Sequence, residues 1–243
     1  MRGKKSSVYE GGHRVPFFIH WPEGGLEGGR DIETLAAHID VLPTLADLCG
    51  ISVPEGYDPD GLSLRPLLEG EKDEWPRAHL IEQYIGGAYA KAFPPKPYEY
   101  TVVMTERWRL VNSDGEFLFD IEADPAQRED LSEPYPEVVA ELRALYNPFW
   151  EKISPRLTPV RIDLGNPAEN PTVLCSQDWY MSEGNPPWNF GQIKRLPKVT
   201  GPWMVAVKHS GRYRSILRSS NRATVLLAGI EGPVFAGHSC ATL

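Results

Sequence analysis

Gly3-Lys4-Lys5-Ser6-Ser7-Val8-Tyr9-Glu10-Gly11-Gly12-His13-Arg14-Val15-Pro16, followed by Phe17-Phe18-Ile19, is the most informative stretch of the 243-residue chain. It sets cations beside small residues, then a double glycine that lets the backbone turn tightly. The apolar run from Val15 to Trp21 reads as a buried strand. A lysine held by a turn beside a strand is well placed to meet an anionic group. A solvated basic loop would account for the two lysines but not for Tyr9-Glu10-Gly11-Gly12.

Outward from that segment, Asp40 stands where it can cap a helix running from Val41 to Cys49, with Pro43 early and Gly50 as its stop. Leu42, Leu45 and Cys49 share one face, which predicts a helix packed on a sheet, with Cys49 a small core residue. The leucines of Asp60-Gly61-Leu62-Ser63-Leu64-Arg65-Pro66-Leu67-Leu68 read as packing. Further on, Tyr100–Met104 and Trp108–Val111 are β-rich, Asn112-Ser113-Asp114-Gly115 is a hairpin turn, and Phe117–Asp120 is the next strand. A helix starts near Pro136, with Val138, Leu142, Leu145 and Phe149 as its apolar stripe. Asp120, Glu122, Asp124, Glu129 and Asp130 lack the spacing of a calcium loop and suit turns and helix N-terminal charge.

The first stretch resembles the G-K-x-S-x-Y-E-G-G-x-R-x-P signature of the sulfatase family, within the alkaline-phosphatase-like superfamily. His38, Asp40, Pro43 and Thr44 resemble that family's H-x-D-x-x-P-T segment, and Asp60 to Leu68 its D-G-x-S-L-x-P-L-L run. The resemblance implies that Lys5, four residues before the aromatic, contacts the sulfate ester. It sets His13 near the same pocket, where it either donates to substrate or leaving group or packs as a neutral residue. Arg14 either pairs with Glu10 or reaches substrate, and His38 reads as a core or supporting residue. The implied fold is α/β, an incomplete alkaline-phosphatase-like layer, followed by an α+β antiparallel-sheet subdomain and a small β-rich region. The implied domains are 1–74 as the end of a catalytic α/β domain, 75–153 as a C-terminal subdomain, and 154–243 as an accessory β-sandwich-like region with an irregular tail.

The family's nucleophile, a formylglycine made within a C/S-x-P-x-R motif, has no precursor in this sequence. Cys49, Cys175 and Cys240 are followed by other residues, and Ser132-Glu133-Pro134-Tyr135-Pro136 carries proline in place of the arginine. The ligands of the family's metal, usually calcium, are absent as well. No catalytic and no metal-binding residue is therefore assigned, and the chain reads as the C-terminal part of a sulfatase.

The partner implied is a sulfated small molecule or a sulfated glycan. The net charge of −8 and the absence of a basic face exclude a nucleic-acid role. No apolar run reaches bilayer-spanning length, and Met1 leads into Arg2-Gly3-Lys4-Lys5 without a signal peptide. A periplasmic or secreted location is implied by the resemblance alone. Two other readings stand beside it: a phosphodiesterase or phosphonate hydrolase of the same superfamily, and a non-catalytic carbohydrate-binding or interaction module. For the latter, Trp179, Trp188 and Trp203 form either a sugar-stacking platform or, more commonly in sandwiches, core.

Overall fold

A computed structural model describes residues 1–71, 75–84, 96–158, 160–179, 186, 189–195 and 201–214, with 217–218, 225–226, 233–234 and 237–241 described as strand backbone. The chain divides into two compact units, Met1–Ile85 with Lys96–Ser154, and Gly86–Pro95 with Pro155–Leu243.

The first unit is built on a four-stranded antiparallel sheet of β1 (Leu80–Gln83), β2 (Thr101–Met104), β3 (Trp108–Asn112) and β4 (Glu116–Asp120), in that spatial order. Its register sets Val102 opposite Val111 and Leu110 opposite Leu118. Alternation along the strands sorts side chains to two faces. Val103, Leu110 and Leu118 meet Val139, Leu142 and Tyr146 of the long helix α4 (Pro136–Ile153). Val102, Met104, Val111 and Phe119 face the other way and enclose Val8 and Tyr9. The sheet is covered on both sides, which is why β2 reads as a continuous apolar run rather than an alternating one. Its second cover is the lysine-bearing segment at the start of the chain.

The numbering of the remaining helices follows the chain: α1 (Glu10–His13), α2 (Val41–Leu48), α3 (Arg65–Glu69) and α5 (Phe190–Lys194). Asp40 precedes α2 but does not cap it. Its buried carboxylate accepts the Ala37 amide at 2.8 Å and the Leu62 amide at 2.8 Å, and pairs with Arg77. Thr44 donates to the Asp40 carbonyl at 2.5 Å and accepts the Leu64 amide at 2.8 Å. Gly61 passes so close that a β-carbon there would lie 1.9 Å from the Ile39 carbonyl oxygen. The two runs around Asp40 and Asp60 are thus one hydrogen-bonded unit, with Leu64 and Leu67 buried as packing residues.

Several expectations are corrected. Val15–Trp21 forms no strand: Val15 is 72% and Phe18 90% exposed, and the segment's one bridge pairs Trp21 with Leu26 across a tight loop. An apolar run signals a wish for burial, but burial needs a partner, and none of the described strands lies beside it. Likewise the Leu42–Leu45–Cys49 face of α2 is open, with Cys49 exposed. His38 is exposed rather than buried. Among the described residues of the first unit the sheet is antiparallel throughout, and residues 1–71 contribute helices but no strand to it. The acidic residues after β4 make turns. Asp120 accepts the amides of Glu122 and Ala123, Asp124 those of Ala126 and Glu129, and Asp130 those of Leu118 and Ser132.

In the second unit β6 (Trp203–Val207) lies between β5 (Ile162–Leu164), which runs parallel to it, and β11 (Gly237–Ala241), which runs antiparallel. Three short strand pieces, β7 (Gly211–Arg212), β8 (Leu217–Arg218) and β9 (Val225–Leu226), follow, with β10 (Pro233–Val234) paired to β7. Among the described residues both edges of β6 are taken, one by β5 and the other by the later strand β11, and Thr172–Leu174 is not a strand. Trp179 meets Trp203 edge-on at 5.8 Å, and the Trp203 indole donates to the Cys175 carbonyl at 2.8 Å. Trp188 lies outside the described residues.

Candidate functional site

The Lys5 segment is shaped by its glycines, though not as a turn at Gly11-Gly12. Both of these are helical, and their bare α-carbons let residues 2–7 lie against α1. A β-carbon on Gly12 would stand 1.9 Å from the Ser7 carbonyl oxygen, and one on Gly11 2.7 Å from the carbonyls of Arg2 and Gly3. The tight turn itself runs over Lys4–Ser7. The Ser7 amide donates to the Lys4 carbonyl at 3.0 Å, the Lys4 amide to Ser7 Oγ at 3.2 Å, and Ser6 takes the left-handed conformation with φ 72°. The Gly11 amide closes the loop on the Arg2 carbonyl at 2.7 Å. Tyr84 Oη donates to Ser6 Oγ at 3.2 Å.

Lys5 sits at the tip of this turn. It is exposed, and among the described residues its ammonium has no hydrogen-bond or ion-pair partner. The turn lies outside the sheet, on the segment that covers one face of it.

His13 is on the inner side. Its side chain is nearly buried, 3.9 Å from a Glu10 oxygen through Nε2 and 3.9 Å from Glu82 through Nδ1. Nε2 has no hydrogen-bond partner among the described residues. Burial pushes its imidazole below the ordinary histidine value, against the opposing pull of Glu82 and Glu10. At neutral pH it is therefore an uncharged group.

Glu10 is the hub. Its carboxylate receives Arg109 Nε at 2.6 Å, both side chains being buried, while Arg14 reaches its other oxygen from solvent at 3.6 Å. The Arg14–Glu10 pairing is as anticipated, but the stronger partner, Arg109, was not. Burial lowers Arg109 from the ordinary arginine value while Glu10 raises it. The Glu10 amide donates to Gln127 Oε1 at 2.9 Å, and Gln127 is wholly buried with a left-handed backbone, φ 53°. Arg2 lies 4.2 Å above the Tyr9 ring and donates to the Gln127 carbonyl at 3.3 Å. The one signal in the sequence for Arg109 is a charge inside an otherwise apolar strand.

The turn thus bears a lysine with no partner among the described residues and is held against an antiparallel sheet backed by one helix. The family profile described as "N-sulphoglucosamine sulphohydrolase, C-terminal" matches residues 4–148, well over half of the chain. The chain belongs to this sulfatase family.

An arylsulfatase of Clostridium perfringens is 33% identical over 147 residues, covering 58% of this chain and 28% of that protein. An N-acetylgalactosamine-6-O-sulfatase of Bacteroides thetaiotaomicron is 31% identical over 150 residues, covering 59% and 29%. A solved 2-O GAG sulfatase shares 26% identity over 54% of this chain and 29% of its own, with a TM-score of 0.41. The sulfatase chain described here spans less than a third of the length of these relatives. With sulfatases as its relatives, the readings as a non-catalytic module and as a phosphodiesterase or phosphonate hydrolase are not favoured.

Family membership suggests calcium and a formylglycine. Among the described residues no three His, Cys, Asp or Glu side chains come together to hold a metal ion. The residues present do not fit a calcium site, and nothing in the chemistry below runs through one. No described helix is long and apolar enough to cross a membrane.

Proposed function

We propose that this chain supplies the C-terminal part of a sulfuric ester hydrolase of arylsulfatase type, acting on a sulfated small molecule or sulfated glycan. Lys5 meets a sulfate oxygen, and His13 is a neutral, nearly buried residue of the same segment. The observation that carries this reading is Lys5 itself, an exposed ammonium without a partner among the described residues, on a turn locked by two glycine contacts. A charge-assisted N–H···O contact from such a group is short and strong, and a turn that is already fixed loses little freedom in making it.

Its share of the reaction is binding and orientation. One cation contributes a few kcal/mol, whereas enzymes lower barriers by about 8–23 kcal/mol. Attraction equal in ground and transition states does not speed the chemical step, so the nucleophile comes from elsewhere in a working enzyme.

The test is an exchange. Residues 4–148 replace the matching segment of the Clostridium perfringens arylsulfatase, and hydrolysis of 4-nitrophenyl sulfate is followed. The hybrid is expected to turn over the ester, and Lys5→Ala within it to lower turnover far more than His13→Ala. A folded, active hybrid indifferent to Lys5→Ala would overturn the role given to Lys5.

A further inference from the structure

We infer that Arg109 and Gln127 are positioning residues for Lys5, acting through Glu10 and Arg2 to fix the turn that presents it. The inference rests on the reading of Lys5 as the sulfate-contacting group. Neither residue touches Lys5. What they hold are the two ends of the loop that carries it.

On the far side of the loop, Glu10 is the first residue of α1. Its carboxylate is bound by Arg109 Nε at 2.6 Å and its amide by Gln127 Oε1 at 2.9 Å. On the near side, the Arg2 guanidinium donates to the Gln127 carbonyl at 3.3 Å and lies over Tyr9, while the Arg2 carbonyl accepts the Gly11 amide at 2.7 Å. Residues 2 and 10 are thus tied to the same anchor, and the Lys4–Ser7 turn is strung between them.

The anchor is rigid. Arg109 is held in β3 and also donates to the Trp108 carbonyl at 3.0 Å and to the Thr105 carbonyl. Gln127 is wholly buried in the loop after β4, where its amide donates to the Asp124 carbonyl at 3.0 Å. Its left-handed backbone is uncommon for a residue with a β-carbon and points to a shape kept for a purpose. A buried carboxylate facing a buried guanidinium has one low-energy arrangement, because either charge left alone at that depth is strongly disfavoured. Loosening Arg109 therefore frees α1, and with it the turn, before it disturbs β2–β4, which have their own ladder.

The experiment uses the full chain with isotopic labels. Inorganic sulfate is titrated while the Lys5 Cε–Hε signal is followed, and amide exchange is measured at Ser7, Gly11, Gly12, Val102 and Leu118. In the unaltered chain sulfate should move the Lys5 signal to saturation. In Arg109→Met, exchange at Ser7, Gly11 and Gly12 should quicken while Val102 and Leu118 keep their protection. Sulfate should then bind Lys5 about tenfold more weakly, and Arg109→Lys should recover part of both effects.

Glu10→Gln, which keeps the shape and the bond to Gln127, gives the same reading if Arg109→Met does not fold. Unchanged exchange at Gly11 and Gly12, or an equal rise at Val102 and Leu118, would overturn the inference, the second by marking Arg109 as a general stability residue. Selective loosening of the turn in a chain whose Lys5 never responds to sulfate would uphold the positioning and reject the sulfate reading.

Discussion

The Ser7 carbonyl oxygen occupies the space a β-carbon on Gly12 would need, 1.9 Å from where that carbon would stand. The obstacle is backbone on both sides, so no side chain can swing away. Gly12→Ala should force the Lys4–Ser7 turn off α1 and cost about 1–3 kcal/mol, the usual range for overfilling a packed site. Gly211→Ala, where nothing lies within 4 Å of the new carbon, should be neutral. Urea unfolding of the two variants checks the contrast, and equal midpoints would refute it.

The Glu10–Arg109 pair should behave as a unit. Arg109→Met strands a buried carboxylate, for which about 3–5 kcal/mol is the usual loss. Glu10→Gln strands a buried guanidinium and should be of similar size. Both changes together should cost much less than the sum. A double-mutant cycle measures the coupling, and additive losses would show that the pair contributes little.

His13 makes the start of the chain sensitive to acid. Its folded-state value is lowered by burial, so the unfolded chain, with an ordinary value of 6.5, takes up a proton that the folded chain resists. Stability should be at its full level above pH 6.5 and fall as pH drops below it, until the folded value is passed. Glu82, Glu10, Arg109 and Arg14 are the charged groups around the ring. His13→Gln should flatten the slope between pH 6.5 and 5, read as melting temperature against pH. An unaltered slope would place the titration on another group.

Thr44 carries two hydrogen bonds in one hydroxyl. Thr44→Val leaves the buried Leu64 amide without its acceptor, a loss of about 1–3 kcal/mol. Thr44→Ser keeps both bonds and should lose less. Comparing their denaturation midpoints separates the hydrogen bonds from the methyl group's packing, and a valine variant as stable as the serine one would contradict the role of the hydroxyl.

The chain by itself should hydrolyse no aryl sulfate with calcium supplied. Turnover of 4-nitrophenyl sulfate by the purified chain, lost in Lys5→Ala, would mean that a nucleophile within these residues has gone unrecognised.

Much of the sheet was legible because local signals agreed there. Thr101–Met104, Trp108–Asn112 and Glu116–Asp120 combine β-branched and aromatic residues with a plain hairpin turn, and Pro136 opens an amphipathic helix. The strand Leu80–Gln83 was missed, since its Leu-Ile-Glu-Gln is short and acquires its identity from Met104 and Val103 alongside. The run Val15–Trp21 misled for the opposite reason. Its composition suits a strand, but strand formation is settled by a neighbour, which composition does not reveal. In the site, the Arg14–Glu10 pairing was legible from its spacing, while Lys5 was singled out by the resemblance alone. Arg109 and Gln127 were not legible, for their partner Glu10 lies 99 and 117 positions away in sequence.

That separation also has a consequence in time. A chain emerging at about 5–20 residues per second presents Glu10 roughly 6–23 s before Gln127 exists to receive it. Through that interval the Lys5 turn has no scaffold, and Tyr9 and Val8 lack the sheet face that later buries them. The segment made early is therefore among the last to settle. A ribosome pause placed before the sheet is complete should leave the start of the nascent chain open to a protease or a chaperone, and one placed well beyond Gln127 should not.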